Sequence, residues 1–149
     1  MKMVALRKSK YAKLYRWVVE DLKERYEIRV RHRKLETSFG YYDFETRIIT
    51  IDKEIAGTIF GIWTIYHELI HYIDELKGRY PDFYQKILYG ETQGLDVEKI
   101  VWQVEWHCCI EAKKYLERLG IEIHNQFCDQ EYLKKVILPV WVSYYLVKK

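Results

Sequence analysis

The chain has 149 residues, 49% of them hydrophobic and 32% charged, which allows one substantial core and excludes an intrinsically disordered chain. Net charge is +3 and the three cysteines, Cys108, Cys109 and Cys128, include no Cys-x-x-Cys pair, which excludes a zinc ribbon and speaks against a disulfide framework. No apolar run approaches about 18 residues, and the opening "MKMVALRKSKYAKLYRW" lacks the apolar centre of a secretory signal; the expectation is one soluble cytoplasmic domain, 1–149, with no membrane partner.

In chain order, Tyr11, Leu14, Tyr15, Val18 and Leu22 have helical spacing and predict a helix near 5–25. "YEIRVRHR", Tyr26 to Arg33, alternates apolar with basic and predicts a strand with one exposed face. "FGYYDFETRIITID" predicts one or two further strands with a turn around Asp43 to Thr46, "RIITI" being the strongest by composition. A helix is expected from about Glu54 to Lys77, closed by Gly78. A loop with Pro81 and Gly90 leads to a long helix over about Leu95 to Leu119, closed by Gly120. The short "IEIHNQF" then precedes a last helix, capped by Asp129 and running to about Val147, with a kink at Pro139. Helix, small mainly antiparallel sheet, then three helices make an α+β fold with its sheet and helices segregated along the chain.

Charge is unevenly spread. Residues 1–34 hold 12 Lys/Arg against 4 Asp/Glu, a net of +8, and the remainder carries −5. The basic third suits either a nucleic acid or acidic partner or a plainly solvated helix face and strand, the latter favoured because no nucleic-acid motif accompanies the charge.

The chemistry concentrates in "TIYHELIHYID", Thr64 to Asp74. His67 and His71 stand at i and i+4, on one helix face a turn apart, and two imidazoles so placed can hold one zinc ion. Glu68 is displaced by about 100° around the axis, where it can reach water beside the metal without ligating the metal. His-Glu-x-x-His on a helix thus supplies two ligands and a general base. The alternative is a pair of core histidines bonded to neighbours, but the surrounding Ile59, Phe60, Ile62, Trp63, Ile65, Tyr66, Leu69, Ile70 and Ile73 make a buried helix whose imidazoles need partners or a metal.

A catalytic zinc requires a third protein ligand and an open position. On the next long helix Val101, Cys108, Ala112, Leu116 and Leu119 form an apolar face that includes Glu105. A carboxylate there needs a salt-bridge partner or a metal, so Glu105 is the expected third ligand and Glu98, two turns earlier, the reserve. His107 and Glu111 belong to the polar face. Asp74, at +7 from His67 and +3 from His71, is placed either to orient a ligand histidine or to serve as an ordinary last-turn acid.

With "HELIH" on a helix, "RIITI" before it and a later helix carrying "VEW", the chain resembles the zincin metallopeptidases over roughly Phe39 to Leu119. It is most similar to the minimal gluzincin type, with the ImmA/IrrE-like peptidases and SprT-like domains as small intracellular relatives. The resemblance implies zinc held by His67, His71 and Glu105, with Glu68 as base. It also implies that "RIITI" edges the cleft and pairs with an extended peptide or protein substrate. Unlike SprT-like domains, the chain has no later histidine on the core face; unlike ImmA-like proteins, it follows the glutamate with Trp106. The expected activity is zinc-dependent peptide-bond hydrolysis. The alternative is a catalytically silent binding module of zincin fold, associated with nucleic acid through residues 1–34.

Overall fold

The computed structural model describes residues 2–122 and 129–147; most of "IEIHNQF" and Cys128 lie outside them. Among the described residues the fold is α+β, with five helices and a three-stranded mixed sheet. The chain forms two compact units, Met1–Tyr72 and Ile73–Lys149. No helix among the described residues is long and apolar enough to cross a membrane.

In the first unit, α1 (Lys2–Tyr26) buries Tyr15, Val18 and Leu22, the stripe expected from 3.6-residue periodicity. It ends where Glu27 turns left-handed (φ 58°) and its N–H bonds the Lys23 carbonyl, with Ile28 N–H on that of Leu22, a closure that stops the helix. β1 (Arg29–Arg33) follows, its arginines exposed and Val30 and His32 half-buried. β2 (Gly40–Asp43) and β3 (Ile48–Asp52) form a hairpin. Asp43 organises its turn: Oδ1 accepts from Glu45 N and Thr46 N, and the carbonyl accepts from Arg47 N.

The strand order is β1-β3-β2. β3 pairs antiparallel with β2, as a tight hairpin requires, but parallel with β1. The sheet is therefore mixed rather than mainly antiparallel, because the β1–β2 connection carries β2 past β3 to the far side. This also corrects the expectation that "RIITI" forms an edge: β3 is central and paired on both sides, and buried from Ile49 to Asp52.

α2 (Ile59–Leu76) begins later than Glu54 because Asp52 caps a separate 3-10 turn, Lys53–Ile55. Gly57 (φ 78°) then breaks the chain, and Thr58 Oγ1 accepts from Gly61 N to start the helix. Two glycines permit close packing. A Cβ at Gly40 would stand 2.9 Å from both Ile51 Cδ1 and Thr64 Cγ2, and one at Gly61 would stand 2.2 Å from the Ile55 carbonyl oxygen. β2 and the 3-10 turn thus lie directly against α2. Gly78 (φ 71°) closes α2, with Arg79 N–H on the Asp74 carbonyl.

In the second unit the loop is partly helical, with a π turn at Asp82–Lys86 and a 3-10 turn at Ile87–Tyr89. α3 (Val97–Arg118) is capped by Asp96, whose side chain accepts from Lys99 N, and is closed by Gly120 (φ 79°). The last helical region starts at Gln130. It comprises α4 (Gln130–Tyr132), a π stretch (Leu133–Ile137) and α5 (Leu138–Val147). Pro139 cannot donate to the preceding turn, and the irregular stretch falls immediately before it. Phe83, Val101, Val104, Cys108, Ala112, Leu116, Leu133, Leu138 and Tyr145 are buried, with Phe83 edge-on to Tyr145 at 4.9 Å between ring centroids.

Candidate metal centre

Every residue of α2 from Gly61 to His71 is buried, so the helix carries its polar groups inward. His67 is 5% exposed, Glu68 8% and His71 3%. The two imidazole centroids are 5.4 Å apart, nearly perpendicular. Trp63 packs 5.2 Å from the His67 ring, and Phe44, just after β2, lies 6.4 Å from that of His71. Both rings thus have aromatic neighbours that restrict their rotation. Glu68 Oε2 is 4.0 Å from His67 Nε2.

The donor group these histidines complete contains a cysteine. The ligand atoms of His67, His71 and Cys108, all buried, lie within 4.8 Å of one another. Two nitrogens and a sulfur suit zinc, and three protein donors leave a fourth tetrahedral position open.

No family model, curated protein or solved structure matches the chain. The site is therefore read from its own chemistry.

Glu105 is buried at 2% exposure and lies three residues before Cys108 on α3. The trio does not include it; Tyr145 on α5 donates its hydroxyl to Glu105 Oε1 at 2.6 Å. The reserve, Glu98, is exposed in the first turn of α3, at a surface groove shared with Lys134, Leu138 and Pro139. Asp74 is completely buried. His107 Nδ1–H donates to its Oδ2 at 2.7 Å, and Arg79 Nη1 donates to its Oδ1 at 3.3 Å. Its carboxylate thus orients His107, which is half-buried by this contact rather than solvated. Beside it, burial and then the Asp74 charge push the Tyr80 phenol above its ordinary pKa.

Helical spacing indicated His67, Glu68 and His71. It missed Cys108 because a buried thiol resembles any small apolar residue on a helical wheel. The available signal was chemical: a soft metal ligand on the same stripe as Glu105.

Proposed function

We propose that the protein is a zinc-dependent peptidase of zincin type, with His67, His71 and Cys108 as ligands and Glu68 as general base. The observation that carries this reading is the buried His-His-Cys group with a carboxylate next to its first histidine. Zinc held by these residues would supply Lewis acidity and lower the pKa of water at the site. Glu68 accepts the proton from attacking water and returns it to the leaving amine. Trp63 and Phe44 keep the imidazoles aligned. With β3 central, β2 is the outer strand nearest the histidines, since Phe44 continues it towards His71; an extended peptide adds there.

The test combines metal content with cleavage of an unfolded protein. Wild type holds one zinc per chain, and His67→Ala and His71→Ala lose it. Glu68→Gln keeps the zinc while cleavage falls about 100-fold or more. Undiminished cleavage by Glu68→Gln would overturn the mechanism.

The burial of all three donors favours a second reading, a metal-holding module without catalysis, since structural sites are closed. Bound zinc whose removal lowers the melting temperature, with no cleavage of any unfolded substrate, is its signature.

A further inference from the structure

The sheet of the first unit has two unlike faces. Val30, His32, Ile49, Ile51 and Gly40 point towards the helices: Tyr15 of α1 is bonded to His32, and Thr64 of α2 lies against Gly40. The opposite face is polar. The strand register places Arg31, Thr50 and Tyr41 side by side across β1, β3 and β2. Arg31 Nε and Nη2 both donate to Thr50 Oγ1, at 3.3 and 3.2 Å. Two bonds from one guanidinium to a single oxygen fix it at Thr50, across from which Tyr41 is paired on β2. Hydrogen bonding to Thr50, with Arg31 and Arg33 nearby, holds the Tyr41 phenol below its ordinary pKa, as expected for a ring embedded in positive charge.

Arg29 and Arg33 flank this row two positions away on either side, and all three arginines are exposed. At about 3.3 Å per residue they span roughly 13 Å along the strand. Arg25, Lys86 and Lys114 each pair with an acid three or four residues away. Among the described residues, Arg29, Arg31 and Arg33 make no ion pair. The nearby acids already serve the backbone: Asp43 accepts from Glu45 N and Thr46 N, and Asp52 from Leu35 N and Glu54 N.

We propose that this face binds single-stranded nucleic acid, with Arg29 and Arg33 contacting phosphates and a base stacking on the surface formed by Tyr41 and the Arg31 guanidinium. Charge alone would suit any polyanion. A fixed guanidinium and a phenol at neighbouring positions suit a nucleobase, which stacks on either, whereas the carboxylates of an acidic peptide would use the guanidinium charges and leave the ring unused. Three strands about 4.8 Å apart give a platform the width of one nucleic-acid strand. This inference is independent of the metal centre.

The experiment is anisotropy of a labelled single strand of about ten nucleotides, titrated with the full chain over a range of salt. Two phosphate contacts at about −0.7 each predict a log–log slope near −1.4. Arg29→Ala with Arg33→Ala flattens it by about 1.4, while Arg29→Lys with Arg33→Lys keeps it. Tyr41→Ala weakens binding about tenfold with the slope unchanged, and Tyr41→Phe binds as wild type. Unchanged affinity in the double alanine variant overturns the proposal. So does equal competition by polyglutamate, which would assign the face to an acidic protein, or binding of duplex as tight as that of the single strand.

Discussion

Cys108 and Glu105 sit three positions apart on α3, and both are buried. Chemistry separates them: one offers a soft sulfur, the other an oxygen that accepts the Tyr145 hydroxyl. Cobalt distinguishes them by the thiolate charge-transfer band, which oxygen ligands do not give. Cys108→Ser should abolish this band and weaken zinc binding at least tenfold. Glu105→Gln should keep the band and cost about 1–3 kcal/mol of stability through its altered bond to Tyr145. The opposite pattern would assign the third-ligand role to Glu105. The nearness of His67 and His71 was legible in the sequence because a helix fixes their relation within five residues. The nearness of Cys108 was not, because it lies 37 positions beyond His71 and only packing brings so distant a residue beside them.

Elements were legible wherever local chemistry sets their limits. Gly78 and Gly120 close α2 and α3 as expected, and Asp43 and Arg47 bound the hairpin turn. The start of α2 was misjudged because Asp52 and Thr58 cap two successive helical turns, and a periodic pattern reads through the break. Strand order was not legible: the composition of "RIITI" marks a strong strand but not which neighbours flank it. Gly61 tests how tightly α2 is seated. Its Cβ position lies 2.2 Å from the Ile55 carbonyl oxygen and 3.1 Å from Tyr15 Cε2, and backbone cannot retreat as a flexible side chain can. Gly61→Ala should therefore destabilise by about 3 kcal/mol, despite alanine's better helix propensity; a melting temperature equal to or above wild type would contradict this packing.

For the whole molecule, pH should act through the α1–β1 contact. Burial holds the Tyr15 phenol far above its ordinary pKa, so its O–H donates to His32 Nε2 at 2.8 Å. Burial also lowers the His32 pKa below 6.5. A lowered folded-state value favours the neutral ring, so this stability is fully present above about pH 6.5 and is lost as pH falls towards the folded value. The melting temperature should drop between pH 7.5 and 5, and less steeply in His32→Asn; parallel profiles would remove His32 as the source. The placement of β1 on the outside of the sheet has a colloidal consequence. Two copies brought edge to edge along this strand would set guanidinium against guanidinium, and like charges facing each other across paired strands repel. Self-association by strand addition is thus discouraged at low ionic strength, and concentrated salt, by screening that repulsion, is the condition under which clustering should first appear.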